Sequence, residues 1–184
     1  DKLYQYTCLP NGLASAPRVF TKILKPVYAT LRKKGHVSVA YIDDSYLQGN
    51  SYQECLQNVS DTMALFAKLG FTVHSEKSVL KPTQKLVFLG FVIDSQSMTI
   101  SLTGEKAAKL KGTFQALLGT TKPTIREVAH VTGCMVSAFP AVPYGQLRYR
   151  QLEIEKIKAL QQCKNNYDGK MLLSDHAKLD LQWW

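Results

Sequence analysis

The sequence has no paired cysteines, no clustered histidines and no long apolar run. Its four cysteines, Cys8, Cys55, Cys134 and Cys163, are widely spaced with no CxxC pair. That excludes the usual spacing of a zinc site or a disulfide scaffold and fits a reducing compartment. No apolar stretch approaches the roughly 20 residues of a membrane span. The opening DKLYQYT lacks the charged and apolar blocks of a secretory leader. Acidic residues are also scarce, with 14 Asp and Glu against 23 Lys and Arg and a formal net charge of +9. Such a balance points to a polyanionic partner, nucleic acid ahead of an acidic membrane surface. The expectation is an intracellular protein of cytoplasm or nucleus, not secreted and without a membrane partner.

Present in ordinary amount are hydrophobic residues at 45% and charged residues at 20%, a globular composition that excludes disorder. A chain of 184 residues suffices for one large domain or two small ones, burying roughly 70% of its unfolded surface without a staple. It opens on an apparent turn at Asp1-Lys2 and a strand over residues 3–7. It stops at Trp183-Trp184, two large apolar side chains with nothing after them as cover. Native termini are usually polar and loosely held, so the expectation is a piece of a longer polypeptide.

Residues 15–34 carry Phe20, Ile23, Leu24, Val27, Tyr28 and Leu31 on one helical face and Arg18, Lys22, Lys25 and Arg32 on the other. Pro26 is expected to kink this helix because it lacks an interior N–H. Gly35 is expected to cap it behind Arg32, Lys33 and Lys34. Residues 37–42 and 45–49 are β-rich runs around Asp43-Asp44 and predict a hairpin with an acidic tip. Ser51 and Glu54 form a capping box for a second helix, with Tyr52, Leu56, Val59, Met63 and Phe66 inward and an end near Gly70. Strands are expected over 71–74 and 85–101, the latter a hairpin around residues 94–97. From Thr103 the pattern is helical, over 103–118, 124–138 and 145–163, with another capping box at Thr124 and Glu127. The predicted fold class is α+β, mixed over 1–101 and all-helical over 102–184.

The motif that carries chemistry is Tyr41-Ile42-Asp43-Asp44. Adjacent aspartates also suit an ordinary solvated turn. Both flanks are apolar and strand-forming, however, so the tip is expected to project from a buried sheet. The stretch from Lys2 to Ile42 holds lysines and arginines and no acid, which sets the pair in cationic surroundings. Paired carboxylates on a rigid tip also match divalent-metal phosphoryl chemistry, where hard oxygen ligands hold ions that activate the attacking and stabilise the leaving oxygen. That chemistry calls for a further carboxylate facing the tip, which this sequence does not obviously supply.

Four motifs in order then carry a resemblance. Leu9-Pro10-Asn11-Gly12-Leu13, followed by Ala16-Pro17 and Phe20, resembles the loop and helix start of a reverse transcriptase palm. Tyr41-Ile42-Asp43-Asp44 resembles that family's Tyr-x-Asp-Asp motif. Leu69-Gly70-Phe71 with His74-Ser75-Glu76-Lys77 resembles its next motif, and Phe88-Leu89-Gly90-Phe91 its primer-grip hairpin. The wording YIDDSYLQG, the stretch IREVAHVTG and the terminal LQWW are most similar to retroelement polymerases of the DIRS and Ngaro type, in which a ribonuclease H region follows. The resemblance covers nearly the whole chain: a partial palm to residue 101, built of an antiparallel sheet with two packed helices, then thumb and connecting helices.

The resemblance implies an RNA-directed DNA polymerase that transfers a deoxynucleotide to a primer 3′-OH with two Mg²⁺ ions, Mn²⁺ being the alternative metal. Its implied partners are an RNA or DNA template with primer, and dNTPs. Asp43 is implied as the direct metal ligand and Asp44 as a weaker or more distant partner. Pro10, Asn11, Gly12 and Tyr41 are implied at the incoming nucleotide and template base, although Pro-Asn-Gly also makes an ordinary turn. Asn11 stands where retroviral relatives commonly carry Gln. Lys77 is either the general acid to the pyrophosphate or a surface lysine; Leu89 and Gly90 either grip the primer end or sit in an ordinary strand. The stripe Arg18, Lys22, Lys25 and Arg32, with Lys106 and Lys109, is read as phosphate-binding, against a merely solvated face. The family places its first metal-binding aspartate and its fingers upstream of the Leu-Pro-x-Gly loop, and Asp1 lies too close to that loop to be this aspartate. Two further readings stay open: a non-catalytic basic nucleic-acid-binding module derived from a polymerase, and a structural α+β domain with a basic surface.

Overall fold

Two separate hydrophobic cores organise the chain. The computed structural model describes residues 3–184, which form two compact units, 3–83 and Gln84–Trp184. The strands of 85–102 group with the helices that follow. Asp1 and Lys2 lie outside the described residues.

In the first unit, helix α1 spans Ala16–Lys33 and starts with Pro17 in its first turn, where a missing N–H costs no hydrogen bond. Leu24, Val27, Tyr28 and Leu31 are buried at i, i+3, i+4 and i+7 spacing. Ile23, expected inward, is half exposed, since the buried stripe is narrower than the apolar one. The helix continues through Pro26, which lies on its exposed side. Gly35 ends it with φ of 90°, and the His36 N–H donates to the Leu31 carbonyl at 3.2 Å, a glycine-closed C-terminus as expected.

Helix α2 spans Tyr52–Lys68 and is capped by Ser51, whose Oγ accepts the Glu54 N–H at 3.2 Å. The Glu54 carboxylate reaches back to the Asn50 N–H at 3.0 Å, one residue beyond the expected box. Its buried face is Asn58, Thr62 and Phe66, whereas Tyr52 and Leu56, expected inward, are exposed. Phe66 meets Phe71 and Tyr28 with ring centroids 5.5 and 6.0 Å apart, which ties α2 to α1. The expected strand over 71–74 is absent, because Phe71 and Val73 pack against the core with no neighbouring strand to pair with. Residues 3–7 likewise form no strand and are exposed.

The first unit also holds a two-stranded hairpin, β1 (Val37–Tyr41) and β2 (Asp44–Gln48), and in the second unit strands β3 (Lys85–Phe88), β4 (Phe91–Asp94) and β5 (Thr99–Leu102) form an antiparallel meander. One extra strand and turn thus divide what the sequence presents as a single hairpin. The β3–β4 turn is two residues, Leu89 and Gly90, with φ of 50° and 77°, the left-handed pair that a tight hairpin needs. At the β4–β5 turn, the Asp94 carboxylate accepts the Gln96 and Ser97 N–H groups at 2.9 and 3.1 Å. Helices α3 (Gly104–Gly119), α4 (Ile125–Ala138), α5 (Arg150–Gln162) and α6 (Asp175–Trp183) follow. Thr124 and Glu127 make the reciprocal capping box at the start of α4. Ile125, Val128, Met135, Leu152 and Leu181 centre the core. Helix α6 is not distinguished in the sequence reading, and it changes the fate of the chain's last residue. Trp184 packs edge-on against Phe114, centroids 5.8 Å apart, so one of the two tryptophans expected to lack cover is held by the fold. Among the described residues no helix is long and apolar enough to cross a membrane.

Candidate active site

The acidic pair sits on a hairpin of the first unit. Its strands are β1 (Val37–Tyr41) and β2 (Asp44–Gln48). Their register pairs Val37 with Gln48 at the open end and Tyr41 with Asp44 at the tip, leaving Ile42 and Asp43 as the turn. Ile42 adopts φ of 54°, a left-handed conformation that costs a residue with a Cβ about 1–2 kcal/mol. Asp43 and Asp44 are exposed, and among the described residues no ion pair or side-chain hydrogen bond engages either carboxylate. Their oxygens therefore remain available as hard donors.

The expected burial of the sheet is not observed. Val37, Val39 and Tyr41 alternate along one face and are each more than half exposed, whereas Ser38, on the opposite face, is buried. The hairpin is held from that side by the two helices. The Tyr28 hydroxyl bonds the Ser45 hydroxyl, and the Arg32 guanidinium donates to the Ser38 carbonyl at 3.0 Å. Burial pushes the Tyr28 phenol up, against the opposing Ser45 bond and Arg32 charge. Asn58 Nδ2 donates to the Val37 and Gln48 carbonyls at 2.9 and 3.0 Å. His36 Nε2 meets the Asp61 carboxylate at 2.8 Å, and that bond, with one from Gln57, holds the Asp61 carboxyl below its usual range.

The remaining candidates stand as follows. Pro10, Asn11 and Gly12 form a turn in which Gly12 has φ of 88° and a Cβ would meet nothing within 4 Å. Its glycine answers a backbone requirement and leaves open space beside it. Lys77 ends an exposed 3₁₀ turn, Ser75–Lys77. No hydrogen bond or ion pair among the described residues joins Lys77, or Pro10 to Gly12, to the aspartates. Leu89 and Gly90 form the β3–β4 turn, and Gly90 sits over Lys106, whose Cδ lies 3.1 Å from where a Gly90 Cβ would be. Lys106 Nζ stands 3.9 Å from the Phe91 ring centroid and donates to the Ser137 carbonyl at 3.3 Å, so this lysine is engaged in the fold. Arg18, Lys22, Lys25 and Lys109 are exposed without ion pairs among the described residues. A cleft of about 670 Å³ in the second unit is lined by Lys122, Lys158 and Lys170 and by none of the candidates named above. Asn58 and His36 are not singled out in the sequence, and Tyr28 only as part of an apolar helix face; the available signal was a polar residue, Asn58, within an amphipathic helix.

The fold thus carries Tyr41-Ile42-Asp43-Asp44 on a tight hairpin held by two helices, with a second two-residue hairpin turn at Leu89-Gly90, and comparison supplies the class of domain. The sequence model described as reverse transcriptase (RNA-dependent DNA polymerase) matches residues 1–93. The chain belongs to the reverse transcriptase family. It is similar to the Pro-Pol polyprotein of simian foamy virus type 1, 26% identical over 172 residues, covering 93% of this chain and 13% of that one. It is 30% identical over 96 residues to the Pol polyprotein of the Drosophila melanogaster transposon opus, covering 52% of this chain and 9% of that one. Its fold is similar to the foamy viral protease-reverse transcriptase solved with double-stranded DNA, with a TM-score of 0.67 and 21% identity over 95% of this chain and 27% of that one. The same viral protein solved with an RNA/DNA hybrid gives a TM-score of 0.65 and 22% identity, covering 97% of this chain and 22% of that one. The chain thus spans a small part of the length of these relatives.

Proposed function

We propose that this chain is the part of an RNA-directed DNA polymerase that carries the Asp43-Asp44 end of the catalytic site. The observation that carries the reading is the pair of unengaged carboxylates at the tip of a tight hairpin, Asp43 in its turn and Asp44 beside it, in a member of the reverse transcriptase family. The donor set suits Mg²⁺ or Mn²⁺: both groups are anionic oxygen ligands free of protein partners. Asp43 and Asp44 would hold such ions, which when bound stabilise the charge of the attacking and leaving oxygens. Tyr41 and the Pro10-Asn11-Gly12 turn would bear on the incoming nucleotide and template base. Lys77 would donate a proton to the departing pyrophosphate, and Leu89 and Gly90 would seat the primer end. Arg18, Lys22, Lys25 and Lys109 would meet phosphates, with a smaller share from Arg32 and Lys106. Palm over 1–101 and thumb over 102–184, an intracellular setting, and a DIRS or Ngaro-type parent with a following ribonuclease H region complete the proposal; the last rests on the wording of residues 41–49, 125–133 and 181–184.

A second reading is favoured by a specific observation. Among the described residues no three His, Cys, Asp or Glu side chains gather as a metal site. With two carboxylates alone, alignment of reacting groups is incomplete, and alignment supplies most of the catalysis in such chemistry. The isolated 184-residue chain is therefore proposed to bind nucleic acid through its basic surfaces without extending a primer, as a polymerase-derived binding module would. The test is primer extension with Mg²⁺ and four dNTPs, by the isolated chain and by a polymerase containing it. The proposal expects extension by the longer protein alone, abolished by Asp43→Asn with little change in its unfolding. Undiminished extension by the Asp43→Asn polymerase would remove Asp43 from the site.

A further inference from the structure

We propose that Asn58 is a positioning residue for the Asp43-Asp44 tip, an inference that rests on the reading of that tip as a metal-binding end of a polymerase site. The two-stranded hairpin has little to hold it: Val37, Val39 and Tyr41 are exposed on one face, and a two-stranded hairpin is marginal by itself. Its orientation therefore depends on the bonds that fasten it to the helices.

Asn58 bonds both strands at once. Its side chain is fully buried on α2, and its amide nitrogen uses both hydrogens, one to the Val37 carbonyl at 2.9 Å and one to the Gln48 carbonyl at 3.0 Å. Those two residues are register partners, so one side chain grips both strands across the last rung of the ladder. The amide oxygen accepts the Thr62 hydroxyl at 3.3 Å, which fixes the amide's orientation. Thr62 is itself buried. Tyr28 to Ser45 and Arg32 to Ser38 also join helix to hairpin, and each holds one strand.

The lever is short but sufficient. Val37 and Tyr41 are four residues apart, about 13 Å along a strand, so a tilt of about 5° at the clamp moves the tip by about 1 Å. A displacement of that size can cost about 100-fold where reaction depends on alignment. Leucine at position 58 keeps the bulk and loses both donors. Valine at position 62 leaves the donors but frees the amide to turn.

Two measurements separate clamp, position and site. In the 184-residue chain, amide hydrogen exchange over residues 37–48 should quicken about tenfold or more in Asn58→Leu and less in Thr62→Val, with α3–α6 unchanged. Unchanged exchange in the hairpin overturns the clamp. In a polymerase containing the chain, single-nucleotide incorporation is resolved into burst amplitude, which counts competent enzyme, and burst rate. Positioning predicts a burst rate about 10- to 100-fold lower in Asn58→Leu at preserved amplitude and dNTP dependence, with Thr62→Val between. A lower amplitude at unchanged rate shows a merely structural role and overturns the proposal. A wild-type polymerase with no burst would refute the reading of the site itself, while exchange still decides the clamp.

Discussion

Replacing Arg18, Lys22 and Lys25 together by glutamine should flatten the salt dependence of primer–template binding. These residues lie at i, i+4 and i+7 on α1, a stripe about 10 Å long on one face. All three are exposed and without ion pairs among the described residues. Arg32 continues the stripe, but its guanidinium donates to the Ser38 carbonyl. Lys106 is held by Phe91 and Ser137, whereas Lys109 is exposed. Of six basic candidates, four are thus free for phosphate, which sets a slope of log K against log salt of about −3.6 on duplex. Affinity should fall about 100-fold between roughly 50 and 200 mM KCl, read by fluorescence anisotropy of a labelled primer–template. The triple variant retains one free group and should lose only about 3- to 4-fold over the same range. Lys106→Gln should leave the slope where it was. A triple variant with the wild-type slope, its helicity intact by circular dichroism, would show that this face is simply solvated.

Three further outcomes concern the fold that carries the site. Asp180 is buried with Arg148 Nη1 at 3.1 Å and His176 Nε2 at 4.0 Å, so Arg148→Met should cost about 1–3 kcal/mol in urea unfolding, with most of it recovered on adding Asp180→Asn; no recovery would refute the stranded-charge account. The Thr124 N–H and hydroxyl hold the Glu127 carboxyl below its usual range. Its folded value being the lower one, its contribution is complete above the ordinary carboxylate range and disappears as pH falls through the lowered value. Glu127→Gln keeps the cap without that titration and should make the loss of stability below about pH 4 less steep; an identical acid limb would refute this. A Cβ on Gly49 would lie 2.3 Å from the Cys55 backbone nitrogen, so Gly49→Ala should destabilise by about 1–3 kcal/mol, whereas Gly112→Ala, in open helical surroundings, should be neutral or stabilising by up to about 1 kcal/mol. Equal unfolding midpoints for the two would refute the clash.

Local pattern in the sequence determined the elements and the location of the acidic tip. The 3.6-residue period marked α1, the Thr124–Glu127 box marked the start of α4, and two β-rich runs around Asp43-Asp44 marked the hairpin, because each of these depends on neighbours within a few residues. Tertiary structure decided what those elements face. The spacing that made Tyr52 and Leu56 look inward could not anticipate that α2 turns Asn58 and Thr62 toward the hairpin, because the carbonyls that satisfy Asn58 belong to residues 10 and 21 positions away. Residues 71–74 alternate like a strand, but a strand exists only where a second segment offers a ladder. Lys106 and Arg32 read as free charges until the folded chain brought Ser137 and Ser38 within reach of them. Trp184 read as bare until α6 set it against Phe114. Periodicity tells which side chains share a face; only the packed chain tells how much of that face is covered and which distant backbone group meets each polar atom.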